Sequence, residues 1–460
     1  MNNNDNASAK ESKWMSAKSK FDGFLNSQWF MLTFALLVVL SWILALEYIL
    51  YFFVGVLATY IFFSKKDLKQ IWTLVIFSLM AYSGRANYTY LHFVFYLACG
   101  IFLVTSIIYK FYMLYVTRTR FKIGGLFVPM LVAILALIMG GIGYKQYEIV
   151  NLPVVLGIGL AFLFMYTISV NFIESDLRDF VCKILLLSSL ICIFEMIVWY
   201  IRCEDITKAM GEKLLNLSWT GPNGIGIIFV MTVIMSLYKS SRKTKYMIAY
   251  IAMSMICMTA LVFTFSRGAI IALLVSLPIA WTYGYRRTEL KRAFTTASLI
   301  GIAMVITICV TTVISNSNIL ILYKKMGLND NGRIEMYRLA IKTIFEQPLF
   351  GCGFLGKNAS GALMSWKVYD TPLQIVFSTG VIGFILFAYY YYSRYKLQIE
   401  YFSKYKFFAL IAVLAFEFYG LFENFFVSVP LNIIVLLVVL ACEKETIYIK
   451  DLIKNKQKKV

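Results

Sequence analysis

Apolar stretches recur along almost the whole chain, from Trp29 to about residue 442, punctuated by short polar stretches rich in Lys and Arg. A helix needs about 20 mostly apolar residues to span the hydrocarbon core of a bilayer. By that measure the pattern predicts spans near 29–45, 48–63, 71–83, 91–108, 124–142, 152–172, 181–200, 222–238, 246–265, 268–285, 293–314, 372–391, 407–422 and 425–442. The third is short enough to be tilted or re-entrant. The fold class is therefore all-α, a polytopic integral membrane protein with about 12–14 transmembrane helices. Residues 315–371 break the rhythm and form one long loop. The chain divides into an N-terminal tail (1–28), a membrane domain of about eleven helices (29–314), the long loop (315–371), further membrane helices (372–442) and a basic tail (443–460).

Composition agrees with the pattern. The chain is 60% hydrophobic and 15% charged, against about 25% charged in soluble domains, and no water-soluble fold buries that much apolar surface. A net charge of +20 would suggest nucleic acid, but its distribution argues otherwise. Lys and Arg concentrate in alternate loops, as in the cytoplasmic loops of membrane proteins. Both termini are expected in the cytoplasm and the long loop outside, with the first span directing insertion, because residues 1–28 contain no signal-peptide-like apolar run. The basic run Lys450–Lys459 belongs beside anionic lipid. Membrane lipid is thus an expected partner, and nucleic acid is not.

The eight cysteines form no CxxC or Cys/His cluster, and the single histidine, His92, matches no motif. No zinc site, disulfide framework or other metal site is expected, and no motif calls for a cofactor. Glu195 and Glu417 fall inside predicted spans, where ionisable groups are functional candidates or hydrogen-bonded neutral residues. Trp29, Trp199, Tyr200 and Trp366 fit interface anchors.

The long loop holds most of the candidate chemistry. Ile334, Tyr337, Ala340, Ile341 and Ile344 recur at helical spacing, and Pro348 ends the run, predicting an interfacial amphipathic helix with its apolar stripe against the membrane domain. Around it lie Asn331-Gly332-Arg333, Gln347-Pro348-Leu349-Phe350-Gly351-Cys352-Gly353, Tyr369-Asp370-Thr371-Pro372-Leu373-Gln374 and Ser378-Thr379-Gly380-Val381-Ile382-Gly383. Upstream come Gly221-Pro222-Asn223-Gly224 and Phe265-Ser266-Arg267-Gly268. In this order, over about residues 222–383, these elements resemble the signature region of the O-antigen polymerase and ligase family of membrane glycosyltransferases.

The resemblance implies a bacterial enzyme of the cytoplasmic membrane, working at its outer face on glycans carried by polyprenyl diphosphate. Lipid-linked oligosaccharides would be donor and acceptor, and other polysaccharide-assembly proteins further partners. A departing diphosphate concentrates negative charge, and guanidinium groups bind phosphate bidentately without losing their own charge. Arg267 and Arg333 are the leading candidates for that role, although an arginine snorkelling at a helix end and a solvated loop arginine fit the same positions. Arg338, offset around the helix, is a lesser substrate-binding candidate, with Tyr369, Gln374 and Asn223.

Many family members place His-Asn where this chain has Tyr369-Asp370. That leaves the Asp370 carboxylate as the candidate base or acceptor-orienting group; a helix N-cap before Thr371-Pro372 is the equally natural structural reading. The leading functional expectation is a polysaccharide polymerase. A ligase that transfers the glycan to another acceptor shares the motifs, and a transporter or flippase of lipid-linked sugar shares the composition.

Overall fold

The computed structural model describes residues 16, 18–85, 90–144, 151–211, 214–242, 246–315, 332–357, 363–365, 368–426 and 428–457. Asn331, Trp366 and the His92 side chain lie outside the described residues. All fourteen predicted spans coincide with helices. Residues 1–118 and 119–460 form two compact units.

The first unit holds α1 (Gln28–Leu44), α2 (Glu47–Ser64), α3 (Gln70–Met80) and α4 (Tyr90–Val116). Ser27 caps α1 by accepting from the Phe30 N–H. Phe34 stacks on Phe77 with ring centroids 6.4 Å apart, and Trp72 is completely buried. The buried Glu47 carboxylate is satisfied by the Ser83 hydroxyl and N–H, as a charge removed from water requires.

The second unit continues with α5 (Phe127–Met139), α6 (Asn151–Phe172), α7 (Arg178–Ile201), the short α8 (Ile206–Gly211), α9 (Pro222–Ser240), α10 (Met247–Phe263), α11 (Arg267–Arg287) and α12 (Lys291–Ser315). It then runs through α13 (Arg333–Glu346), a two-stranded antiparallel ribbon of β1 (Leu355–Lys357) and β2 (Leu363–Ser365), α14 (Thr371–Ile399), α15 (Lys404–Gly420) and α16 (Val429–Gln457). Among the described residues, seven helices are long and apolar enough to cross a membrane, or eight if Lys18–Asn26 and Gln28–Leu44, bent by 76°, form one span. The shorter apolar helices fall below that mark for a geometric reason. At 1.5 Å per residue, the 13 residues of α5 reach about 20 Å, against a hydrocarbon core of about 30 Å.

Helix α9 is the hub of this unit. It is apolar all round, as a helix enclosed by others must be, and every residue from Gly224 to Ser240 is buried. It packs against α7, α10, α11 and α15. Gly226 permits the close approach to α11, since a Cβ there would lie 2.8 Å from the Ala269 methyl.

Helix α14 is not the continuous span expected from the sequence. It breaks at Gly380, whose φ of 67° and ψ of −171° are essentially open only to glycine. In an unbroken helix the carbonyls of Phe377 and Ser378 would accept from the N–H groups of Val381 and Ile382. Instead, the Cys352 and Gly353 N–H groups donate to Phe377 and Ser378, while Val381 and Ile382 donate to the Pro348 and Leu349 carbonyls. The loop Pro348–Gly353 thus supplies partners for four backbone groups that the break leaves without their helical ones.

The amphipathic stripe of α13 also differs from expectation. Tyr337, Ala340 and Ile344 pack on a small core with Cys352, Val368, Leu373 and Phe377. Ile334 and Ile341 are instead exposed, beside a 79% exposed Phe345. The face spaced 337/340/344 is narrow, and residues 334, 341 and 345 centre roughly a quarter of a turn around the helix from it at 100° per residue.

Candidate active site

Four helices begin at one cluster, and each begins with a motif residue. Asn223 is the second residue of α9, Ser266 precedes Arg267 at the start of α11, Arg333 opens α13, and Asp370 caps α14 ahead of Thr371. The turn after α15 joins them. The Glu423 carboxylate accepts a short hydrogen bond from the Asn223 amide and lies 3.6 Å from the Arg333 guanidinium. The Glu423 carbonyl accepts from the Thr371 hydroxyl at 2.9 Å. Asn223 in turn accepts from Ser266 at 3.0 Å, and the Ser266 hydroxyl is 2.5 Å from the Tyr419 hydroxyl.

Arg333 is held on two further sides. One guanidinium nitrogen donates to the Phe422 carbonyl at 2.7 Å, and the guanidinium carbon lies 5.0 Å from the centre of the Tyr369 ring, a cation–π distance. The Tyr369 carbonyl accepts from Tyr337 at 2.7 Å. Burial raises the Tyr337 phenol above its ordinary pKa; Asp370 and Glu423 add to the shift and Arg333 opposes it. All three charged groups therefore act on one hydroxyl.

The Ser-Arg-Gly element divides its labour. Ser266 joins the hydrogen-bond chain, Arg267 follows it at the first helical position, and Gly268 leaves room for Tyr419, whose ring would lie 2.2 Å from a Cβ there. Both Arg267 and Arg333 stand at the positive end of a helix dipole. A cation is disfavoured there by a few tenths to about 1 kcal/mol, whereas an anion is welcomed.

The other candidates are placed differently. Asp370 caps α14: its carboxylate accepts the Leu373 N–H at 2.7 Å, and burial raises its pKa while that bond lowers it. Gln374 is completely buried. Its oxygen accepts from the Val368 N–H and the Asn424 amide, and its amide donates to Ser378, so its polar atoms are engaged inside the fold. Arg338 is exposed and stands 3.8 Å from Glu335 on its own helix; it is not brought to the cluster. Burial pushes the neighbouring Cys352 thiol up to about 11, leaving it protonated at neutral pH and fitting its place in the α13 core.

Glu423 and Tyr419 are cluster members outside the sequence motifs, and Thr371 lies within one but was not among the candidate site residues. The available signal was the pair Glu423-Asn424, polar and uninterrupted by Lys or Arg in an otherwise apolar C-terminal stretch.

Residues 251–388 match a family model described as O-antigen ligase. No curated protein and no solved structure matches the chain. The matched segment carries Ser266–Gly268, Arg333, the Pro348–Gly353 loop and Asp370–Gly383. Asn223 and Glu423 lie on either side of it, yet they join its elements into one hydrogen-bonded cluster.

Proposed function

We propose that this multi-pass membrane protein is a polysaccharide polymerase, transferring a growing glycan from polyprenyl diphosphate onto the next lipid-linked repeat unit at the outer face of a bacterial cytoplasmic membrane. The observation that carries this reading is the meeting of four helix N-termini with two arginines, Arg267 and Arg333, at their first positions. Such a place favours a compact, multiply charged anion, and the diphosphate leaving group is one. The arginines would stabilise it as charge develops on the departing oxygen. The family match supports the same class of chemistry.

A ligase reading, in which the glycan passes to a different acceptor, is favoured by the description of the matched family. One experiment addresses both. Arg267→Ala and Arg333→Ala are expressed at matched membrane levels in a host that supplies the lipid-linked repeat, and glycan length and attachment are measured. The polymerase reading expects a ladder of repeats from wild type and single repeats from either variant. Wild type that moves preformed chains onto another carrier without lengthening them makes the protein a ligase. Full-length polymer from both variants removes the arginines from the mechanism.

A further inference from the structure

Resting on the transferase reading above, we infer that Glu423 is the group that takes the proton from the acceptor hydroxyl. The hydrogen-bond chain leading to it has a fixed direction. An ionised carboxylate can only accept, so the Asn223 amide turns its NH2 to Glu423 and its oxygen to Ser266. Ser266 gives its single proton to Asn223, so the proton in the Ser266–Tyr419 contact comes from Tyr419. Every donor points toward Glu423, which ends the chain as its acceptor and is fixed in place by it.

Two features suit this carboxylate to the role. Its side chain is 13% exposed, buried enough to be held and open enough to be reached. The Arg333 guanidinium lies 3.6 Å away, beyond a proper hydrogen bond, so charge attraction orients the pair. Arg333 can then stand between the carboxylate and a diphosphate. Both carboxylates are anchored, Asp370 by the Leu373 N–H and Glu423 by the Asn223 amide and the Asn424 N–H, but it is Glu423 that the hydrogen-bond chain from Tyr419 and Ser266 reaches.

In the step, the Glu423 carboxylate removes the acceptor hydroxyl's proton, and the acceptor oxygen forms a bond to the donor's anomeric carbon. The bond from that carbon to the diphosphate oxygen breaks, and its electron pair leaves with the diphosphate between Arg267 and Arg333. Glu423 afterwards releases its proton to water.

The test uses the purified full chain in lipid nanodiscs, with two readouts: extension of a lipid-linked repeat unit, and the shift in melting temperature caused by inorganic diphosphate. Glu423→Gln is expected to lower kcat about 100-fold or more, while keeping KM and the diphosphate shift that Arg333→Ala loses. Glu423→Asp, which keeps the charge but withdraws it by one methylene, guards against a folding defect in the amide variant. It is expected to keep the ligand-free melting temperature and lose at least about tenfold in kcat. Turnover near wild type in either variant overturns the assignment. So does loss of the diphosphate shift together with turnover, which would make Glu423 a scaffold, and so does a result in which Asp370→Asn alone stops the reaction. Failure of wild type to extend the repeat removes the transferase reading itself, a result separate from any of these.

Discussion

Gly380 and Gly351 show how little freedom the backbone has beside the site. A Cβ at Gly380 would lie 2.2 Å from the Leu349 carbonyl oxygen, and one at Gly351 would lie 2.5 Å from that of Phe377; both glycines have positive φ. Gly380→Ala therefore combines a forbidden backbone conformation with a clash against main chain that cannot swing away. It is expected to cost about 2 kcal/mol or more, read as a lowered melting temperature in detergent, whereas Gly157→Ala, with open space around it, should be near neutral. The motif glycines were visible in the sequence, but their purpose was not. A string of letters does not reveal that one glycine faces another some thirty residues away. The same limit hid Glu423, whose partners Asn223 and Arg333 are distant in sequence.

Among the elements, α14 and α15 are joined by an ion pair within the apolar bundle. Arg394 and Glu417 form a short contact, with side chains 4% and 21% exposed. The rings of Tyr391, Tyr395 and Tyr390 surround the guanidinium at 4.7, 5.4 and 5.8 Å. Removing one partner strands the other in a poorly solvated place, so Arg394→Leu is expected to destabilise by about 3–5 kcal/mol. Arg394→Leu with Glu417→Leu should recover most of that in a thermal unfolding series, because the stranded charge is gone. A double variant no more stable than the single one would mean that the tyrosine cage, and not the charge pair, sets the energy. Glu417 was recognisable in the sequence as an ionisable residue inside a span. Its partner was not, because hydropathy ends that span near residue 391 whereas the helix continues to Ile399 and carries Arg394 with it.

At the scale of the whole molecule, the helices were the most legible part, since period and apolar length are local properties. What hydropathy could not foresee was the break in α14 or the convergence of four helix starts, both set by contacts far apart along the chain. The distribution of Lys and Arg supports one orientation, which the proposed chemistry also needs. If it holds, Lys342→Cys on the exposed side of α13 should react with a membrane-impermeant maleimide in intact cells, and Lys454→Cys on the terminal part of α16 only after lysis. The reverse labelling would put the cluster on the cytoplasmic side, out of reach of an outer-leaflet substrate.

The stitch between the Pro348–Gly353 loop and the broken helix also bears on inheritance. Recombination between related genes with a crossover between the codons for residues 353 and 377 would pair a loop from one parent with a break from the other. The four hydrogen bonds are main chain to main chain, but the close approach of Gly351 to Gly380 and the packing of Cys352 with Phe377 depend on that pairing. Viable hybrids should therefore carry the two stretches as a single block, and anyone grafting a segment from a related chain onto this scaffold should cut outside residues 348–382.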